Sequence, residues 1–344
     1  MAEDARVDLA RSGDETAFAE MVAPHRRELH LHCYRMLGSF DDADDALQET
    51  LVAAWRGLAT FQAKASVRTW LYRIATNTCL NLIRNAAQRP QMTQPLPATA
   101  SAPTGSSDVT WLQPYPDKLL DDLPDDDTGP ETRVERNEAV SLAFVAALQL
   151  LSPRARAVLI LRDVLGFTAR ETGGLLSSTE EAVAMTLSRA RATLREHAHS
   201  PDAPVAPAAT ATDQRTARRL AAALTAHDVD AVVSLLTEDI RIAMPPLSAV
   251  WHGRERAAEF LTEVAFRLVP EARFVETHAN KQPALAVYTH DQASGLWRAG
   301  GLLVLTPRGD QIAGLTRFES HTLRPFGLPR ILPDDDPPKS PGRC

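Results

Sequence analysis

The chain has 344 residues, 44% apolar and 24% charged, which is enough to bury a core in two or three ordinary domains and excludes a fully disordered polypeptide. Cys33, Cys79 and Cys344 are too few and too scattered for a disulfide framework, and no Cys-x-x-Cys pair suggests zinc. The acidic start MAEDARVDLARSGDE and the lack of any apolar run of about eighteen residues argue against secretion and membrane spanning, and for the cytoplasm.

A net charge of -7 speaks against a protein that coats nucleic acid, yet the charge lies in blocks of opposite sign. Residues 51–90 hold Arg56, Lys64, Arg68, Arg73, Arg84 and Arg89 with no acidic residue, an electrostatic footprint for phosphate. Residues 91–131 reverse it, with Lys118 alone facing Asp108, Asp117, Asp121, Asp122, Asp125, Asp126, Asp127 and Glu131. These blocks, with the periodicity, divide the chain into a helical domain at 1–90, an acidic Pro-rich linker at 91–131, a second helical domain at 132–197, a Pro/Ala linker at 198–212, an α+β domain at 213–325 and a Pro-rich tail at 326–344. The 91–131 stretch has little periodicity and reads as an extended spacer that buries too little surface to fold.

In the first domain, helical spacing runs from Glu15 to Gln88 with breaks near Gly38–Asp41 and Gly57–Ser66. Ala43, Ala46, Leu47, Leu51, Ala54, Trp55 and Leu58 form one apolar face, and Asp41, Asp42, Asp44, Asp45 and Glu49 crowd the N-terminal end, where the helix dipole favours negative charge. By itself that end also fits a solvated surface. The following helix places Thr69, Arg73, Asn77, Asn81, Arg84 and Gln88 on one side, against Leu71, Ile74, Ala75, Thr78 and Leu82 on the other. Arginine forks onto guanine or phosphate and asparagine pairs with an adenine edge, so the stripe suits DNA. Phe61, Trp70 and Tyr72 lie beside it as stacking surfaces for unpaired bases, Trp70 being equally suited to the core.

The stretches DADDALQETLVAAWR and FQAKASVRTWLYRIATNTCLNLIRN resemble region 2 of bacterial sigma factors over about seventy residues. The resemblance implies that Asp41, Asp44, Asp45, Gln48, Glu49 and Arg56 face the clamp coiled coil of core RNA polymerase. It also implies that Phe61, Lys64, Ser66, Arg68, Thr69, Trp70, Arg73, Asn77, Asn81 and Arg84 hold the -10 element, with a flipped base in the loop from Phe61 to Ser66.

In the second domain, Leu142–Leu151 and Pro153–Leu165 show helical spacing, and FTARETGGLLSSTEEAVAMTLSRARATLRE reads as a helix-turn-helix with Thr179 as N-cap. Ala182, Val183, Thr186, Leu187, Ala190 and Leu194 point inward, leaving Glu180, Glu181, Ala184, Met185, Ser188, Arg189 and Arg191 for a groove. Gly173 and Gly174 each cost the preceding helix roughly 1 kcal/mol against alanine. The order of the two helical domains resembles the extracytoplasmic-function (ECF) sigma factors, whose region 4 reads the -35 element and touches the polymerase flap. The resemblance implies -35 contacts by Thr179, Glu180, Glu181, Ala184, Met185, Ser188, Arg189 and Arg191, although Val183-Ala184-Met185-Thr186 replaces a common Val-Lys-Ser-Arg-like start and drops two phosphate contacts. It further implies that the acidic linker threads the polymerase cleft; a solvated spacer is the alternative.

From Asp213 onward two helices precede a strand at 240–244, the turn Pro245-Pro246, a helix at 257–268 and strands near 272–279, 283–289, 296–305 and 311–321. This order, with MPP…WHGR, resembles the SnoaL-like family of nuclear-transport-factor-2 type, which implies an α+β cone with a pocket near Met244, Trp251, His252 and Arg254. Enzymes of that fold use an Asp or His as base, and Asp239, His252, His290 and His321 are the candidates, but no acid-base pair stands out. His30, His32 and Cys33 lack a fourth ligand in a helical apolar run, so no metal is expected, nor any cofactor.

The expectation is two all-α sigma domains followed by a SnoaL-like α+β domain: an alternative sigma factor that binds core polymerase and promoter DNA. Its C-terminal domain is a regulatory module for a small molecule or an intramolecular partner. The competing readings are a ligand-sensing helix-turn-helix regulator and a SnoaL-type isomerase or cyclase.

Overall fold

A computed structural model describes residues 2–61, 65–86, 103–106, 112–121, 139–198 and 212–333. Its helices are α1 (Ala2–Arg11), α2 (Glu15–Val22), α3 (Arg26–Leu37), α4 (Phe40–Gly57), α5 (Val67–Ala86), α6 (Lys118–Asp121), α7 (Leu142–Gln149), α8 (Pro153–Leu159), α9 (Ala169–Leu176), α10 (Glu180–Ala198), α11 (Thr212–Thr225), α12 (Val229–Ser234), α13 (Arg254–Phe260) and α14 (Phe266–Leu268). Its strands are β1 (Gly105–Ser106), β2 (Leu236–Ala243), β3 (Ala249–His252), β4 (Ala272–Ala279), β5 (Gln282–Asp291), β6 (Leu296–Arg308), β7 (Gln311–Glu319) and β8 (Ile331–Leu332). The chain forms two compact units, one from residues 1–91 and 147–197, the other from 92–146 and 198–344.

In the helical unit the break expected near Gly38–Asp41 is a paired stop and start. Gly38 takes the left-handed conformation that ends α3 (φ 74°), and the Ser39 side chain accepts from Asp42 N at 3.1 Å to begin α4. Leu29, Cys33, Tyr34 and Met36 of α3 are buried with Ala43, Ala46, Leu47 and Ala54 of α4 and Leu71, Ala75 and Cys79 of α5. Cys33 and Cys79 meet as buried thiols, and that contact together with burial raises Cys79 well above the ordinary thiol range. His32 is buried with Nε2 2.9 Å from Thr76 Oγ1, and burial draws it down to about 3, so it is neutral. Among the described residues no group of three or more His, Cys, Asp or Glu is placed to hold a metal ion.

The second helical segment packs into the same unit, with α8 on α3 and α5. The guanidinium of Arg156 donates to the carbonyls of Met36, Gln149 and Leu151, and Gln149 Nε2 donates to Arg35 O at 3.3 Å. Carbonyls left without partners at the end of α3 are thereby capped by residues more than 110 positions later. Burial brings Arg156 down to about 10, still charged at neutral pH. In the helix-turn-helix, Thr168 and Glu171 form a reciprocal capping box at the start of α9, and Ser177 turns the chain in the left-handed conformation. Gly173 is required here: a Cβ on it would lie 2.7 Å from Ser178 O, whereas one on Gly174 meets nothing within 4 Å.

The other unit is one eight-stranded sheet in the order β1-β3-β2-β7-β6-β5-β4, with β8 on β6; β2 and β7 run parallel. Ala217, Leu220, Val232, Trp251, Phe260, Leu261 and Val264 pack with Leu285, Leu305 and Leu315 into a single apolar core between helices and sheet. Gly309 and Asp310 make the hairpin turn that follows Arg308 between β6 and β7, with Gly309 at φ 66°. Part of the expected tail is also seated: Tyr288 OH donates to Pro329 O at 2.8 Å, and β8 pairs with Trp297 and Arg298.

The expected free spacer is not free where it is described. Gly105 and Ser106 pair with Val250 and Ala249, and Leu112, Tyr115 and Leu120 are buried. The β4–β5 turn grips the segment. Asn280 accepts from Tyr115 N (2.8 Å) on its side chain, donates from its backbone N to Tyr115 O (2.8 Å) and donates from Nδ2 to Val140 O (2.7 Å). Lys281 N donates to Asp117 Oδ1 at 2.8 Å, Lys281 Nζ pairs with Asp121, and Gln282 Oε1 accepts from Leu142 N at 3.1 Å. Asn280 and Lys281 both sit at positive φ (56° and 59°), as a two-residue hairpin turn demands. The acidic residues Asp108, Asp122, Asp125, Asp126, Asp127 and Glu131 lie outside the described residues, as do Gln88 and Arg89.

Candidate functional site

Two helices that pack on each other in the helical unit, α4 and α5, each carry a row of outward polar groups. On α4, Asp41, Asp44, Asp45, Gln48, Glu49 and Arg56 are all exposed, because the Ala43-Ala46-Leu47-Ala54 side is fully taken up by the core. Steps of three and four residues align them along one side. Val52 joins that face at 48% exposure, an apolar member absent from the sequence-based set. Its signal was an apolar residue four positions after Gln48 and four before Arg56, where the pattern asks for a polar one.

On α5 the stripe of Arg73, Asn77, Asn81 and Arg84 is exposed, and Thr69 is half-buried. Ser66 begins the helix: its hydroxyl accepts from Thr69 N at 3.1 Å and lies 2.9 Å from Thr69 Oγ1. The stripe thus offers two guanidinium groups and two amides over three turns without a carboxylate among them, a surface for the phosphates and base edges of a nucleic-acid strand.

Three expected aromatic stacking surfaces are used inside the protein. Phe61 and Trp70 are buried on each other, ring centroids 4.7 Å apart, and Tyr72 is fully buried with its hydroxyl donating to Glu28 Oε2 at 3.2 Å. Arg68 is likewise not a free cation. Its Nε donates to Glu28 Oε2 at 2.9 Å, and its guanidinium lies over Tyr72 and Phe167. Burial opposes ionisation of Glu28, but the hydrogen bond from His25 and the charge and hydrogen bond of Arg68 outweigh it and hold the carboxyl below its ordinary range. No sequence signal joins Glu28 to Arg68, forty positions apart. Lys64 lies outside the described residues.

In the helix-turn-helix, Thr179 Oγ1 accepts from Ala182 N at 3.2 Å, and Glu180, Glu181, Ala184, Met185, Ser188 and Arg189 are exposed. Ala182, expected inward, is exposed, while Val183, Leu187 and Ala190 form the inward face. Arg191 is exposed as well, but it is not a free cation: Asp163 holds it with two hydrogen bonds at 2.8 and 2.7 Å.

The expected pocket residues of the sheet unit are framework. Trp251 is fully buried against Phe260 at 4.7 Å, and both Nε and Nη2 of Arg254 donate to Leu236 O. His252 is half-buried, its backbone N donating to Thr104 Oγ1 at 2.8 Å, and Met244 packs on the core. The candidate bases are dispersed: Asp239 is gripped by Arg308 (3.0 and 2.9 Å), His290 faces Glu271 at 3.3 Å, and His321 lies 3.7 Å from Glu319.

Residues 21–89 match the sigma-70 region 2 family, residues 141–194 sigma-70 region 4, and residues 217–320 the SnoaL-like domain. The ECF RNA polymerase sigma factor SigG of Mycobacterium tuberculosis is 39% identical over 335 residues, covering 94% of this chain and 86% of the relative. SigM of the same organism, also an ECF RNA polymerase sigma factor, is 32% identical over 183 residues, covering 53% of this chain and 78% of SigM. The crystal structure of the M. tuberculosis extracytoplasmic function sigma factor SigJ has the same fold, with a TM-score of 0.60 over 90% of this chain and 99% of that one at 21% identity. With two helical sigma regions and a SnoaL-like domain in this order, the chain belongs to the ECF sigma factors of RNA polymerase.

Proposed function

We propose that this alternative sigma factor seats the exposed face of α4 on core RNA polymerase, runs the separated -10 strand along the α5 stripe, and reads the -35 duplex with α10. The sheet unit acts as a regulatory module and not as an enzyme, by holding the connection between the two sigma regions. The observation that carries the reading is the pairing of an exposed acidic face on α4 with a carboxylate-free Arg/Asn stripe on α5: one face suits a basic protein surface, the other a polyanion. A connection bound along the Asn280–Gln282 turn is withheld from the polymerase cleft. The dispersal of Asp239, His290 and His321, with Asp239 engaged by Arg308, supports a role without catalysis. Work on polymerase places the protein in the cytoplasm, and no helix among the described residues is long and apolar enough to cross a membrane.

Run-off transcription with the full chain and core polymerase tests this. Asp45→Ala with Glu49→Ala should weaken core binding at least about tenfold without lowering thermal stability, since both side chains are exposed. Arg73→Ala with Asn77→Ala should leave core binding intact and impair promoter opening. Unchanged core affinity in the first pair would reject α4 as the seat.

A further inference from the structure

The groove-facing side of α10 carries exposed Glu180 and Glu181 at its start and Ser188 and Arg189 further on, but the exposed residues between them offer no side-chain hydrogen-bonding group. The hydroxyls of Thr179 and Thr186 are both engaged with the backbone of the helix itself, accepting from Ala182 N and donating to Ala182 O. Arg191 is folded back onto Asp163. In the middle of the exposed face stand Ala184 and Met185, the latter 56% exposed although the flanking Val183 and Leu187 are buried. Glu180 and Glu181, one turn earlier, repel phosphate and so do not anchor that end to the DNA backbone.

A methyl side chain beside a thioether donates no hydrogen bond, so the pair cannot sort bases by their donor and acceptor pattern. The major groove presents one apolar feature to such a surface, the 5-methyl group of thymine. The second helix of a helix-turn-helix brings its N-terminal residues to base edges there, and Ala184 and Met185 occupy its first two turns. A methionine on the groove side of such a helix is placed to meet an apolar base substituent, and its flexible stem adapts to the depth of a methyl group. We infer that Ala184 and Met185 form an apolar patch that reads the 5-methyl group of thymine in the upstream promoter duplex. The inference rests on α10 being the -35 reader.

The test uses a randomised duplex pool synthesised once with thymidine and once with deoxyuridine, which lacks only the 5-methyl group. The full chain assembled with core polymerase captures duplexes from each pool, and the bound fraction is sequenced. At least one thymine of the upstream element should be enriched about fourfold more in the thymidine pool than uracil is in the other, the worth of one buried methyl group. Met185→Ala, at an exposed position that leaves the fold intact, should reduce the thymidine-pool enrichment to the deoxyuridine level and leave the -10 element unchanged. Equal enrichment in both pools, an upstream element without thymine on either strand, or a Met185→Ala protein that still discriminates overturns the patch. Enrichment of a -10 element with no upstream element in either pool overturns instead the assignment of α10 as the -35 reader.

Discussion

The helical unit and the sheet unit place their polar side chains in opposite ways. In the first, the groups assigned to function are surface rows on α4, α5 and α10, each row local in sequence and separable from the core behind it. In the second, the most telling polar groups are interior: Asn280 and Gln282, both fully buried, tie a hairpin turn to Tyr115, Val140 and Leu142, 140 to 165 positions earlier. Outward rows can change with little effect on stability, whereas inward knots cannot, because a buried donor or acceptor that loses its partner loses solvation as well. The helical unit has inward knots too, among them the buried His32–Thr76 pair and Arg156, by which α8 closes the end of α3.

The sharpest way to break this contrast is Asn280→Ala. It removes two side-chain hydrogen bonds to the connection and puts a less tolerant residue at positive φ, so the sheet unit should lose roughly 3 kcal/mol or more in denaturant unfolding. The connection should become sensitive to protease while the helical unit keeps its transition. Unaltered protection would show that the turn does not hold the connection.

Acidity should drive the units in opposite directions. His32 stays neutral down to about 3 in the fold but takes a proton near its ordinary 6.5 when unfolded, so the helical unit loses stability as pH falls below about 6.5. Asp117 is pushed up from 3.8 to about 6 by burial, although the Lys281 backbone hydrogen bond and the Lys281 charge oppose the shift. It therefore keeps its proton longer in the fold than in the unfolded chain, and its contribution to the sheet unit is full below about 4 and is lost as pH rises through about 6. Calorimetry from pH 4 to 7 on the wild type, His32→Gln and Asp117→Asn checks this: each substitution should flatten the pH dependence of its own unit only, and a common direction for both would refute the contrast.

Much of the helical unit was legible beforehand because its signals are local. The three- and four-residue steps of α4 and α5, the Gly38–Ser39 break and the Thr179 cap all lie within a few positions of what they determine. What could not be read were partners distant in the chain. Arg68 looked like a free cation until Glu28 was placed beside it, and Arg191 until Asp163 was. Phe61 resembled an exposed stacking surface, and Trp70 fitted surface and core alike, because an aromatic at the edge of a polar stripe has the same spacing whether it turns in or out. The segment around Tyr115 resembled a spacer because Pro, Asp and Ser hide its few apolar anchors from any periodicity, and the surface they cover is built by residues from 249 onward.

The smallest effect concerns two neighbouring glycines of α9. Gly174→Ala should raise the stability of the helical unit by about 1 kcal/mol, since the new methyl group meets open space and the helix gains propensity. Its neighbour allows no such gain. At position 173 a hydrogen atom stands where every other residue carries carbon, and the oxygen it makes room for belongs to the turn leading into α10. The bearing with which α10 leaves that turn is thus set by a residue outside the exposed face of α10, and, on the role proposed for that helix, promoter choice can drift through this pivot while the exposed side chains stay the same.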